Sequence, residues 1–271
     1  MGAGVPQRWP PLILGGVSPV DLTAARAEAE RAAAEWGLEL GTPFTLAQYS
    51  YVAPVGEEAV LKVAWEGDVE SLHEGEALEL WDGEGAVRLL RRSGRVLLLE
   101  RAQPGEDISD AGEEEATAIA VDVASRLWRR AGEPFRWIAD DVPGWMNESE
   151  RDPDSGTALL PLARELFASL DIGREWLTHG DFHHHNILHH GERCVAIDPK
   201  PYLGDREYDL FSFLRNPLSY RMNDRESTER RIAAFVAAGL DDYKIRAWTI
   251  IRGSYLGLEE DEVAVARSLL D

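Results

Sequence analysis

The sequence predicts an α+β protein in two parts, a strand-rich first hundred residues and a mainly helical remainder. Between positions 44 and 100, short runs rich in β-branched, aromatic and aliphatic residues are bounded by turn residues. Beyond Gln103-Pro104-Gly105 the period changes, and Ala116, Ile119, Ala120, Val123 and Leu127 recur at helical spacing. A chain of 271 residues with 44% hydrophobic content is long enough to bury a sizeable core. The change of character near 102–105 divides it into expected domains at 1–103 and 104–271.

The elements follow in order. A first helix is expected to open at Ser18-Pro19, with Ser18 as N-cap, Pro19 at the first helical position and Asp21 in the first turn, and to close at Gly37 after Trp36. Residues 44–52 and 58–65 read as a hairpin turning through Ala53–Glu57, and 69–82 as a helix. Val87–Arg91 and Arg95–Glu100 form a second hairpin around Ser93-Gly94. Helices are expected over 112–131 and 157–170, then a strand at Cys194–Ile197, then helices at 224–238, 241–256 and 260–270. Residues 140–156, with Pro143, Gly144 and Pro153, read as one long irregular stretch.

Composition narrows the function. Forty-nine acidic residues against 28 basic ones give a formal charge of −21, which argues against a nucleic-acid backbone or an anionic membrane surface as partner. A cationic partner is compatible with it. Cys194 is the only cysteine, so there is no internal disulfide and no four-cysteine zinc site; it reads as a small buried hydrophobe on a strand. The first sixteen residues lack the basic start of a signal peptide, and no run approaches a membrane span, so a reducing cytoplasm is the expected setting.

The chemistry concentrates in His179-Gly180-Asp181-Phe182-His183-His184-His185-Asn186-Ile187-Leu188, followed by Ile197-Asp198-Pro199. Phosphoryl transfer needs a carboxylate beside the attacking hydroxyl and oxygen ligands for a magnesium ion bridging the phosphates. Asp181 suits the first task; Asn186, five residues on, and Asp198, after a short hairpin, suit the second. The competing use of this segment is zinc, with His183, His184 and His185 as ligands. Adjacent residues point different ways, and no second His or Cys cluster exists to complete such a site.

The pattern His-Gly-Asp-x-x-x-x-Asn followed by Ile-Asp-Pro resembles the catalytic and metal-binding motifs of aminoglycoside phosphotransferases, relatives of protein kinases. Ile197-Asp198-Pro199-Lys200-Pro201-Tyr202-Leu203-Gly204-Asp205, with Tyr208-Asp209-Leu210 and Leu214-Arg215-Asn216-Pro217, resembles the branch of streptomycin 6-phosphotransferases and hydroxyurea phosphotransferases. The resemblance runs from about Trp36 to Trp248. It implies a two-lobed protein-kinase-like fold, strand-rich N-lobe and mainly helical C-lobe, with ATP (or GTP) and Mg2+ between them. Asp181 and His179 are then the catalytic pair, His179 orienting the loop, and Asn186 and Asp198 are the metal ligands. Asp209 accepts hydrogen bonds from the catalytic-loop backbone.

On the nucleotide side, Lys62 in Ala59-Val60-Leu61-Lys62-Val63-Ala64 resembles the lysine strand of kinases. Its acidic partner is expected on the following helix; Glu74, sharing a face with Leu78, is favoured and Glu76 is the alternative. By the same likeness the backbone of Glu100 and Ala102 would meet a purine edge. The chain departs from protein kinases where they place Gly-x-Gly-x-x-Gly, because no glycine lies between Gly41 and Gly56. Backbone amides near Gln48–Tyr51 would have to serve. The short interval from Asp198 to Asp209 leaves no room for a peptide-docking loop, so a small-molecule acceptor follows. Candidate acids for a cationic acceptor are Asp140, Asp141, Asp152, Asp154 and Glu259, Glu260, Asp261 and Glu262; Lys200 reads equally as a phosphate contact or a solvated loop residue.

Overall fold

A computed structural model describes residues 20–45, 47, 49–151 and 157–270. Ser18, Pro19, Gln48, Asp152 and Asp154 lie outside them. The first helix, α1 (Thr23–Trp36), begins at Thr23 rather than Pro19; Leu22 takes the N-cap position, and the Asp21 carboxylate accepts from the Thr23 N–H at 2.9 Å. Gly37 closes it in the left-handed region at φ +68°. Ala25, Ala29, Ala32 and Ala33 form a small-residue stripe that lies on the sheet against Tyr51, Ala53, Leu61, Val63 and Val96.

That sheet is antiparallel, in the order β1 (Ser50–Val55), β2 (Ala59–Ala64), β4 (Val96–Glu100), β3 (Leu89–Ser93). The first hairpin is therefore shifted from its expected register. Ala53, Pro54 and Val55 continue β1 rather than turning, and the turn falls at Gly56–Glu58. Residues 41–44 already run antiparallel beside β1, since Gly41 N–H bonds Pro54 O and Phe44 N–H bonds Val52 O. In β2 the two-residue period decides what faces where. Leu61 and Val63 pack under α1, and Lys62 points to the other side. There the chain makes one 3-10 turn (Glu70–His73) and enters α2 (Glu74–Trp81), whose Leu78 and Trp81 join the main core.

Beyond the sheet, β5 (Pro104–Asp107) leads to α3 (Glu113–Leu127), β6 (Arg129–Arg130), α4 (Ile138–Arg151), α5 (Leu160–Ser169) and β7 (Trp176–Thr178). The hairpin β8 (Ile187–His190) and β9 (Arg193–Ala196) follows, then β10 (Tyr202–Gly204), α6 (Leu210–Arg215), α7 (Arg225–Ala237), α8 (Asp242–Leu256) and α9 (Glu260–Ser268). The strands here form two small sheets, β5-β8-β9 and β10-β7-β6. Helix α8 runs through the core, with Trp248, Ile250 and Ile251 fully buried.

The expected irregular stretch at 140–156 is overturned as far as Arg151, because α4 is helical despite Pro143. Ile138, Val142, Met146 and Ser149 bury one face at helical spacing, and that burial outweighs the hydrogen bond the proline removes. The two halves are joined through Val87 N–H to Ala196 O (3.0 Å). This is a two-lobed α+β fold of the protein-kinase-like kind, with a strand-rich lobe and a mainly helical one.

Candidate active site

Local geometry brings the 179–188 loop and Asp198 together. Strand β7 delivers the chain to His179, and the β8–β9 hairpin returns it to Ile197, whose N–H bonds Asn186 O at 2.9 Å. Asp198 itself sits at φ +56°, a conformation unfavourable for a residue with a side chain and held by its surroundings. Gly180 has φ +81°, and a Cβ there would lie 1.9 Å from Lys200 O, so only glycine lets the loop lie this close to the Asp198–Lys200 segment. The Lys200 N–H closes the contact on His179 O at 2.7 Å.

Asp209 fastens the loop from beneath. Its carboxylate accepts from His179 N–H (2.8 Å) and Gly180 N–H (2.7 Å), while burial pushes its carboxyl up to about 6. Arg252, buried, donates to Tyr208 O (2.9 Å) and Gly180 O (3.0 Å). His179 is fully buried, with Nε2 on Ile197 O at 3.1 Å and its ring stacked on Trp81. Burial lowers it to about 4, so it is neutral. The sequence groups His179 with Asp181 as the residue that orients the loop, and its ring is buried behind that loop as a brace.

Asp181 accepts from Asn186 Nδ2 at 3.1 Å and lies 3.5 Å from His183 Nε2. Burial alone would raise its carboxyl, but the adjacent His183 holds it below the ordinary value. Asn186 donates to Asp181 O as well (3.0 Å), which leaves its amide oxygen without a partner among the described residues. Lys62 Nζ lies 2.6 and 2.7 Å from the two oxygens of buried Glu74 and 2.5 Å from Asp198 Oδ1. Desolvation works against the ammonium, but the two carboxylates outweigh it and raise Lys62. Asp198, despite burial, is held well below the ordinary carboxylate range by Lys200 and Lys62. Glu76 turns outward to Arg92 (2.9 Å), so Glu74 is the partner of Lys62.

Glu100 ends β4 with its N–H already given to Arg88 O (2.8 Å), which leaves only its carbonyl for a ligand; Ala102 follows, buried, in the connection to β5. The three histidines go to different places. His183 faces Asp181, His184 stacks on Phe213 at 4.4 Å between centroids, and His185 meets Asp107 at 2.9 Å. They do not share a metal-binding point.

Several residues near the cleft were not legible in the sequence. Lys200 is buried, with Nζ 2.6 Å from Asp68 and 3.6 Å from Asp198, and is no solvated loop residue. Glu70 has no hydrogen bond or ion pair among the described residues. Burial and its interaction with Asp68 and Asp181 push it up to about 7, although Lys200 and Arg252 pull the other way. Of the candidate acids, Asp141 pairs with Arg136 at 2.9 Å beside Tyr202. Asp140 is exposed, and Glu259 and Glu262 form the capping box of α9.

The arrangement defines a class first: a buried lysine on a sheet paired with a glutamate of the following helix, opposite a loop carrying Asp and Asn and a second Asp, is the side-chain pattern of a kinase-like fold. Solved structures agree on the fold. The choline kinase LicA from Streptococcus pneumoniae superposes with a TM-score of 0.61 over 90% of this chain and 96% of its own, at 14% identity. A gentamicin complex of APH(2")-IIa gives 0.57 over 93% and 97%, at 18% identity. The particular family follows: the model of the aminoglycoside/hydroxyurea antibiotic resistance kinases matches residues 42–263, and the chain belongs to that family. The hydroxyurea phosphotransferase of Kitasatospora aureofaciens is 35% identical over 265 residues, covering 87% of this chain and 76% of the relative. A streptomycin 6-kinase of Streptomyces griseus is 25% identical over 256 residues, covering 86% and 83%. The chain is a small-molecule phosphotransferase.

Proposed function

We propose that the protein transfers the γ-phosphoryl group of ATP, with magnesium, to a hydroxyl of a small cationic molecule of the streptomycin kind, and so confers resistance to it. The observation that carries this is the convergence of Lys62, Glu74 and Asp198 opposite Asp181 and Asn186. Lys62, held by Glu74, would position the α and β phosphates, and the backbone of Glu100 and Ala102 would border the purine. The donor set fits magnesium: an ionised carboxylate on Asp198 and an Asn186 amide oxygen without a partner among the described residues are hard oxygen ligands. Bound there, the ion would neutralise phosphate charge. Asp181 orients the acceptor hydroxyl and takes its proton as the acceptor oxygen bonds to the γ phosphorus and the bond to the β–γ bridging oxygen breaks, leaving ADP. Most of the rate then comes from positioning and fixed charge. Glu70, without an ion-pair partner among the described residues, would supply negative charge toward a cationic acceptor.

Asp181→Ala is expected to lower turnover roughly 10²–10⁴-fold, the usual worth of a general base, with MgATP affinity kept. Near-normal turnover would remove Asp181 from that role. The 35% identity to a hydroxyurea phosphotransferase favours a second reading, a neutral acceptor. Competition between streptomycin and hydroxyurea in one assay separates the two.

A further inference from the structure

The transferring phosphoryl group carries negative charge on its equatorial oxygens, and catalysts of this step place a cation against it. Residues 179–188 contain no lysine or arginine. Arg252 is committed to two backbone carbonyls beneath the loop. Lys62 is committed to Glu74 on the side of the α and β phosphates. His183 is already turned to the Asp181 carboxylate; among the described residues, Lys200 is a further buried cation beside Asp198. Its backbone is fixed directly against the loop by the bond to His179 O and the Gly180 contact. Its ammonium lies 3.6 Å from Asp198 Oδ1 and within electrostatic range of Asp181, so it is close to the metal-ligand candidate and acts on the base candidate as well. Its direct partner, Asp68 at 2.6 Å, belongs to the segment leading into the 3-10 turn before α2, and Tyr49, just before β1, lies within electrostatic range of both. An ammonium so enclosed, in a chain with three lysines and an excess of arginine, suits a compact cation on a flexible stem that exchanges one anionic partner for another.

We propose that Lys200 is a catalytic cation of the transfer step: its ammonium leaves Asp68 for the migrating phosphoryl group and neutralises the charge that develops there, across the group from Lys62. This rests on the phosphotransferase reading above. The side chain gains and loses no proton; only its ion-pair partner changes.

The test compares wild type, Lys200→Met, Lys200→Arg and Asp68→Asn by titration calorimetry with MgADP, alone and with aluminium fluoride as a stand-in for the transferring group. Single-turnover transfer from ATP to streptomycin or hydroxyurea is measured alongside. In Lys200→Met, MgADP affinity should stay within about threefold, while the extra affinity given by fluoride, about a hundredfold or more for a transition-state mimic, is lost. Transfer should fall about 10³-fold, as for other cations in this position. Lys200→Arg should recover part of both. Asp68→Asn should lose less than about tenfold in transfer, because it frees the ammonium. A Lys200→Met protein that keeps the fluoride gain, a wild type that shows none, or equal losses in Lys200→Met and Asp68→Asn would overturn the proposal and leave an ion pair that merely ties two segments together. A wild type that binds no MgADP would overturn the phosphotransferase reading itself, and the role of Lys200 with it.

Discussion

Replacing Gly180 by alanine tests how tightly the site depends on one close backbone approach. The added Cβ would lie 1.9 Å from Lys200 O and 2.8 Å from Lys200 C, whereas Cβ contacts under 3.0 Å are essentially never seen. Backbone occupies that space, so no side-chain rotation relieves the clash. The loop and the Asp198–Lys200 segment must separate by roughly 1 Å, and misplacement on that scale costs about 10²-fold in rate. The left-handed backbone at φ +81° adds about 1–2 kcal/mol for a residue with a side chain. The separation also stretches the His179–Lys200 and Asp209–Gly180 hydrogen bonds, each in a buried setting. Steady-state kinetics with MgATP and a thermal melt would therefore show turnover lower by about a hundredfold or more together with a reduced melting temperature. Activity within threefold of wild type would refute the claim that this contact sets the distance between Asp181 and Asp198.

Other outcomes follow from the same geometry. Lys62→Met leaves buried Glu74 without its partner, and breaking a buried pair costs about 3–5 kcal/mol, so denaturant unfolding should show that loss and the added Glu74→Gln should recover part of it. A Lys62→Met chain as stable as wild type would mean that the pair is not held as described. Asp209→Ala removes the acceptor of two buried backbone N–H groups, worth about 1–3 kcal/mol each, and should lower both stability and turnover; an unchanged melt would contradict the fastening role. Glu70, raised to about 7, gains a proton as pH falls through that value, so KM for a guanidinium-bearing acceptor should rise below pH 7. Glu70→Gln should flatten the profile, and an identical profile in the variant would take Glu70 out of acceptor binding.

Much of this geometry was legible in the sequence because it is local. The Asp181-to-Asn186 spacing, the hairpin before Asp198 and the alternation that turns Lys62 away from Leu61 and Val63 all follow from chain geometry. The choice of Glu74 over Glu76 followed from one helix face. What escaped was non-local or overridden. Pro143 and Gly144 outweighed the Ile138, Val142, Met146 stripe in a pattern-based view, whereas burial decides the helix. The β1 boundary moved because residues 41–44 take up pairing that the strand pattern assigned to its interior. Asp68, Glu70 and Tyr49 carry no motif. Only folding brings Asp68 onto Lys200, 132 positions away, and Glu70 toward Asp181.

The central claim is that distant side chains assemble one phosphate-transfer site, and mass spectrometry of acceptors tests it directly. The chain and its Asp181→Asn variant are incubated with MgATP and a panel of aminoglycosides, hydroxyurea and amino sugars. The expected result is one added phosphate on an acceptor with the wild type, dependent on magnesium and nearly abolished in the variant. No added phosphate on any acceptor, or equal addition by both proteins, would contradict it.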